Sequence, residues 1–283
     1  MHDIIVTLSC HDRPGIVAAV AGFLADRGFT IRDSQQFGDE DTGLFFMRVH
    51  AAGQDAVDLR QIRDEFTRAV ADPLDALATI HDPALPQRMI VMVSKQGHCL
   101  NDLLHRVRTG SMPGTIAAVV SNHGDFRELV EWHGIPFHHV PVTPETKTDA
   151  EDELRKLVAS YDADLVVLAR YMQILSNDLC NDLAGRAINI HHSLLPSFKG
   201  ARPYFQAYAR GVKVIGATAH YVTADLDEGP IIEQDFTRAD HNHSAADLTA
   251  IGRDLEALAL AKAVTAHLEH RVLVNGSKTV VFR

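Results

Sequence analysis

With 283 residues, 46% of them apolar, the chain is long enough for two domains with buried cores, and its formal charge of −10 argues against a general nucleic-acid surface. No apolar run approaches the length that spans a bilayer, and Met1-His2-Asp3-Ile4 lacks the basic start and apolar core of a signal peptide, so no membrane partner is expected. The 3 cysteines (Cys10, Cys99, Cys180) are too scattered for a disulfide framework or a metal site, and a reducing cytoplasm is the expected compartment. Among 17 histidines, His191-His192 and His241-Asn242-His243 have no carboxylate or cysteine recurring at ligand spacing, so no metal is expected.

Residues 3–8 (Asp-Ile-Ile-Val-Thr-Leu) read as a buried strand rich in β-branched side chains. His11-Asp12-Arg13-Pro14-Gly15 reads as a turn in which Asp12 caps a helix and Pro14 suits its first turn. Ile16, Val17, Val20, Phe23 and Leu24 then recur at helical spacing, and Gly28 closes the helix. Strands at 30–37 and 44–49 flank an acidic turn, a second helix covers about 57–71, and 77–81 supplies a fourth strand. This βαββαβ order is a ferredoxin-like layout. The two prolines of 82–88 mark a linker, giving domains at 1–82 and 89–283 joined by 83–88.

Beyond the linker, strands at 89–93, 115–120, 137–140 and 165–168 alternate with helices at 99–107, 126–133 and from Thr143 to Tyr161. That rhythm predicts an α/β domain with a doubly wound, mostly parallel sheet, ligands at the C-terminal strand ends, and 165–168, the most apolar strand, at its centre. Further strands follow at 214–222 and 231–235. A last helix opens at Ser244, with Asp247 at its acidic third position, and runs toward about Val272.

Between these elements, Ile188-Asn189-Ile190-His191-His192-Ser193-Leu194-Leu195-Pro196 reads as a short strand ending in a polar cluster. Asn189 and His191 share one face of an extended chain. An amide beside an imidazole suits a reaction that puts charge on a carbonyl oxygen and moves a proton, although Asn-x-His alone is a common tripeptide that also suits a strand end. Asp227, in Asp225-Leu226-Asp227-Glu228-Gly229-Pro230, would pass on spacing alone for a plain acidic turn.

The larger pattern is more specific. The Asn189–Pro196 motif, Gly200-Ala201-Arg202-Pro203, Gly216-Ala217-Thr218-Ala219-His220 and Asp227-Glu228-Gly229-Pro230, in that order, resemble the folate-dependent formyltransferase family over roughly 89–283. The resemblance implies Asp227, His191 and Asn189 as catalytic residues. It also implies a pterin-binding loop at 169–176, with Tyr171, Met172, Ile174 and Leu175, and a second folate-facing loop at 222–229 that begins with Val222. At Asp12-Arg13-Pro14-Gly15-Ile16 the first domain resembles an ACT domain, a module that binds amino acids at paired interfaces. That likeness implies a homo-oligomer and an effector, glycine or methionine, near Asp12, Arg13 and Gly15, where the helix N-terminus offers donors to a carboxylate.

Departures from the family pattern separate its branches. Where ribonucleotide transferases carry a Gly-rich phosphate loop, this chain has Ser94-Lys95-Gln96-Gly97-His98-Cys99, a poorer nest for a phosphate. His192 replaces the small residue or proline of the transferases, and the length to Arg283 leaves no room for the extra C-terminal domain of the tRNA enzymes. With the ACT-like domain, this is similar to the deformylase branch. The resemblance therefore implies hydrolysis of 10-formyltetrahydrofolate to formate and tetrahydrofolate without a cofactor, balancing the one-carbon pool and supplying formate for purine biosynthesis. Formyl transfer to an amine acceptor on the same trio, and a non-catalytic amino-acid sensor, are the alternatives.

Overall fold

The computed structural model describes residues 2–53, 58–196 and 203–283, so Gly200, Ala201 and Arg202 of the family motif and Val57 at the expected helix start lie outside the described residues. The chain divides into two compact units, one of residues 1–85 with 269–283 and one of 86–268.

The first unit contains β1 (His2–His11), α1 (Ile16–Ala25), β2 (Thr30–Asp39), β3 (Leu44–Gly53), α2 (Leu59–Phe66) and β4 (Leu77–His81); after α2 a π-helical turn (Thr67–Ala71) leads into the short α3 (Asp72–Leu74). The strands form an antiparallel sheet in the order β2-β3-β1-β4, the ferredoxin-like arrangement. Ile4, Val6, Leu8 and Cys10 alternate along β1 toward the helices, where they meet Ile16, Val20, Leu24, Ile62 and Phe66. Asp58 caps α2 by accepting from the Arg60 and Gln61 amides. Asp12 does not cap α1: the N-cap is Gly15, at φ 98°, with no side-chain cap, because the turn needs a left-handed residue immediately before the helix.

On the sheet face away from these helices, buried Arg48 donates to the Glu269 and His270 carbonyls, and Asn275 donates to Asp39. The partners belong to a C-terminal hairpin of β12 (Val272–Asn275) and β13 (Lys278–Val281). Here the structure departs from the sequence reading, which carried the last helix to about Val272 and the second domain to Arg283. The helix stops at Leu268, His270 turns at φ 53°, and a two-residue Gly276-Ser277 loop with Gly276 at φ 60° closes the hairpin.

The second unit has a seven-stranded sheet in the order β11-β10-β9-β8-β5-β6-β7. The parallel strands are β5 (Arg88–Val93), β6 (Thr115–Ser121), β7 (Phe137–His139), β8 (Leu165–Leu168) and β9 (Ala187–His191), and β10 (Val214–Tyr221) and β11 (Ile231–Arg238) add antiparallel strands beyond β9. β8 is the middle strand and all four of its residues are buried. Leu154, Leu157 and Val158 of α6 (Lys147–Ser160) and Leu179 and Cys180 of α7 (Asn177–Asp182) pack on the face that includes Ile90 and Met92. Met89, Val91 and Val93 point to the opposite face, the side of α4 (His98–Thr109) and α9 (Ala245–Leu268). α5 (Arg127–Trp132) precedes β7, and α8 (Pro203–Arg210) precedes β10. α6 begins at Lys147 rather than Thr143, since Thr143 and Thr146 first trade side-chain hydrogen bonds with each other's amides. Ser244 caps α9 as expected, with Asp247 returning the bond. Among the described residues no helix is long and apolar enough to cross a membrane.

Candidate active site

β5 connects to β6 on one side and β8 to β9 on the other, so the strand order reverses between β5 and β8, where sheets of this kind bind ligands. The loop after β8 carries Arg170, Tyr171 and Met172, and Ser94 at the end of β5 accepts from the Met172 amide at 2.9 Å. Asn189 and His191 project from the same face of β9, and the register sets His220 of β10 directly opposite Asn189. The β10–β11 loop folds back until Asp227 reaches His191. Gly229 makes that return possible, because a Cβ there would lie 1.8 Å from the Tyr221 carbonyl oxygen.

His191 Nδ1 lies 3.2 Å from Asp227 Oδ2. The carboxylate only accepts, so Nδ1 carries the hydrogen and Nε2 the lone pair of the neutral ring. That Nε2 is buried and, among the described residues, has no hydrogen-bond partner. The hydrogen bond from His191 holds the Asp227 carboxyl below its ordinary range, against the opposing effect of burial. His220 Nδ1 donates to the Tyr221 carbonyl oxygen at 2.9 Å, which leaves Nε2 to accept from Asn189 Nδ2 at 3.2 Å. Burial lowers the His220 pKa, so this ring stays neutral although Asp227 Oδ1 lies 3.8 Å away. The Asn189 amide is thereby oriented with its second hydrogen uncommitted to His220. Asp227 (φ 58°) and Arg170 (φ 63°) both hold the left-handed backbone that non-glycine residues rarely adopt, a strain that collects at functional sites.

Beside the trio lies a cavity of about 350 Å³ lined by both loops, with Asn189, His191, His192, His220 and Asp227 in its wall. All five residues expected to hold substrate line it. Tyr171 and Leu175 are buried, Val222 is half-buried, and Met172 and Ile174 stand exposed at the rim. Burial pushes the Tyr171 hydroxyl up to about 12. Glu151, itself buried, pins the far end of the loop by accepting from the Ser176 amide and hydroxyl. Asp12, Arg13 and Gly15 belong to the first unit, where all three are exposed.

The sequence reading gave no role to a polar network behind the cavity. Buried Glu256 on α9 takes His98 at 2.7 Å, the Tyr204 hydroxyl at 2.7 Å and Arg170 at 3.3 Å. Burial alone would raise the Glu256 carboxyl, but these partners outweigh it and hold the group below its ordinary value. Arg170 also binds Gln96 and His192. His98, Cys99 and Glu256 bring three potential metal-ligand atoms within 4.8 Å of one another. They do not suit a cation: the Glu256 oxygen that binds His98 also faces a guanidinium, and burial pushes the Cys99 thiol well up, keeping it protonated. Thr218 and Gln234 secure the turn after His192 through the Ser193 and Leu195 backbone.

A formyl transferase family model matches residues 87–264, and an ACT domain model matches residues 4–67. A formyltetrahydrofolate deformylase of Corynebacterium sp. (strain P-1) is 49% identical over 280 residues, covering 99% of this chain and 98% of that protein. The crystal structure of a formyltetrahydrofolate deformylase from Pseudomonas syringae pv. tomato superposes with a TM-score of 0.97 at 48% identity, covering 100% of this chain and 95% of that one. Glycinamide ribonucleotide transformylase 1 from Symbiobacterium toebii matches with a TM-score of 0.65 at 32% identity, covering 70% of this chain and 95% of its own.

Proposed function

The chain belongs to the formyltetrahydrofolate deformylase family, and from that premise we propose that Asp227, His191 and Asn189 carry its reaction, the hydrolysis of 10-formyltetrahydrofolate to formate and tetrahydrofolate. The observation that carries the assignment is the His191 ring, tied to Asp227 through Nδ1 while its buried Nε2 has no partner among the described residues. As the water oxygen bonds to the formyl carbon, its proton passes to Nε2, and the Asp227 carboxylate stabilises the imidazolium that forms. The second amide hydrogen of Asn189 donates to the oxyanion of the tetrahedral intermediate, joined by the protonated ring. Collapse breaks the bond to N10, the imidazolium returns its proton to that nitrogen, and tetrahydrofolate leaves. Tyr171, Met172, Ile174, Leu175 and Val222 supply the mainly apolar seat for the pterin. The scheme draws on no metal or redox cofactor, and the folate is the substrate.

Water rather than an amine fits the loop after β5. Gln96 accepts from Arg170 and His98 is bound to Glu256, so the side chains that stand in place of glycines are already engaged and offer no nest for a phosphate. Purified protein given 10-formyltetrahydrofolate alone should release formate. Formyl transfer to a phosphate-bearing glycinamide, with no formate in its absence, would overturn the reading in favour of the transferase alternative.

For the first unit we propose a homo-oligomer and an amino-acid effector, glycine or methionine, at Asp12, Arg13 and Gly15. The edge strand β2 leaves Ile31 and Phe37 partly exposed and, among the described residues, its outer hydrogen-bonding edge unpaired in the sheet, which supports association with a second copy. An effector alters turnover only through unequal affinity for two states of the assembly. Sedimentation and formate release measured with and without each amino acid test both points; a monomer indifferent to either would refute them. A cytoplasmic location and a part in supplying formate for purine synthesis complete this reading.

A further inference from the structure

Arg170 is a buried cation whose donors are shared out among three side chains. Nε lies 3.3 Å from Glu256 Oε2 and 3.3 Å from Gln96 Oε1, Nη2 lies 3.1 Å from the same Gln96 oxygen, and Nη1 lies 2.5 Å from His192 Nδ1. Glu256 is in turn held by His98 and Tyr204, and Gly252, one turn earlier on α9, is needed for this closeness, since a Cβ there would fall 2.0 Å from the Tyr204 ring. Gln96, His98, Tyr204 and Glu256 do not line the catalytic cavity, whereas Arg170 and His192 do. The network therefore acts on the cavity through those two residues.

A guanidinium is permanently charged and has no lone pair to accept with, so Nδ1 of His192 must be the acceptor. An imidazolium would put a hydrogen on Nδ1, facing the guanidinium. His192 is thus fixed as the neutral ring with its hydrogen on Nε2. It stacks on His191 with centroids 5.0 Å apart and an interplanar angle of 17°. The two rings hold opposite tautomers: His191 has its lone pair on Nε2 because Asp227 takes Nδ1–H, and His192 has its hydrogen on Nε2 because Arg170 occupies Nδ1.

We propose that His192 is a further catalytic residue, donating Nε2–H to the formyl oxygen as the water adds, and that Arg170, bracketed by Glu256 and Gln96, is the positioning residue that fixes its tautomer. The inference rests on the assignment of Asp227, His191 and Asn189 given above. It adds no proton transfer: His191 alone moves the proton from water to N10, and His192 keeps its hydrogen throughout. It also gives a physical reason for a second histidine at the end of β9, where its neighbour already supplies the base.

Long-range proton–nitrogen NMR of the full-length protein with ¹⁵N-labelled histidine should show His192 at neutral pH with hydrogen on Nε2, and Arg170→Gln should abolish that preference. Removing an oxyanion donor costs about a hundredfold or more in kcat, so His192→Ala should lose about that much while KM changes little, and His192→Gln, which keeps an amide donor, should lose less. Arg170→Gln combined with His192→Ala should be no slower than the worse single variant, because the arginine acts through the ring. A wild-type His192 carrying its hydrogen on Nδ1, additive losses in the double variant, or a His192→Ala enzyme within about threefold of wild-type kcat would each overturn the proposal. Asp227→Asn run beside them separates the two readings. If it is inactive while His192→Ala is active, only this proposal fails; if it stays active, the trio itself is misassigned.

Discussion

Replacing Asp227 by Asn is the sharpest perturbation of the trio. Asparagine tolerates the left-handed backbone that residue 227 occupies at φ 58°, so the loop that carries it should keep its course. What changes is the charge beside His191. For unit charges at the observed 3.2 Å, an effective dielectric of about 20 gives an attraction of about 5 kcal/mol between carboxylate and imidazolium. The Asp227 side chain retains 15% of its exposure, so solvent reduces this to about 3–4 kcal/mol. At about 1.4 kcal/mol per tenfold, kcat should fall by roughly two to three orders of magnitude. The amide also presents its NH2 group to Nδ1 as readily as its oxygen, which admits the tautomer with hydrogen on Nε2 and removes the base. Steady-state formate release across a range of 10-formyltetrahydrofolate gives kcat and KM, and circular dichroism checks the fold. A folded Asp227→Asn protein with kcat within about threefold of wild type would refute the charge argument and the assignment of the trio together.

Glu256→Leu should strand the Arg170 charge in the interior and cost about 3–5 kcal/mol, read as a drop in the urea midpoint at constant slope. Glu151→Ala takes the acceptor from the Ser176 amide and hydroxyl; stability should fall by about 1–3 kcal/mol and KM should rise more than kcat falls, since the substrate loop loosens while the trio is untouched. The carboxyls of Asp227 and Glu256 both titrate below their ordinary values of 3.8 and 4.5, so their contribution to stability is complete above those values and is lost as pH falls through the lower folded ones. Urea midpoints taken from about pH 7 down to about pH 3 should therefore decline, and more shallowly in Glu256→Gln; equal slopes would count against a charged Glu256.

What the sequence revealed and what it hid divide along the range of the interactions. Period-two alternation in β1 and continuous burial in β8 follow from local patterning, and the shared face of Asn189 and His191 follows from strand geometry alone. Asp227 was reached only through the family pattern, because nothing local distinguishes it from an acidic turn. His220 belonged to a quoted motif, yet its role appears only when the register sets it opposite Asn189, 31 residues away. Glu256 lies 158 residues from His98; its one local sign is a charged residue on the stripe of Gly252, Ala259 and Ala263 that α9 buries. The C-terminal hairpin did carry a signal, Asn275-Gly276-Ser277, but the long helical period before it drew the last helix on to about Val272, and the residues beyond received no element.

The return of residues 269–283 to the first unit also bears on how the protein is made. Arg48 finds its Glu269 acceptor 221 residues further along the chain, an interval of roughly ten to forty-five seconds at ordinary rates of translation. For that time the nascent N-terminal sheet lacks the strands that engage its second face, where Phe46 and Arg48 end up buried. The ribosome must finish the whole catalytic unit before the unit begun first can close. A message cut short anywhere before Glu269 therefore yields a product in which Arg48 and Asp39 lack these partners, which chaperones and proteases can recognise as incomplete.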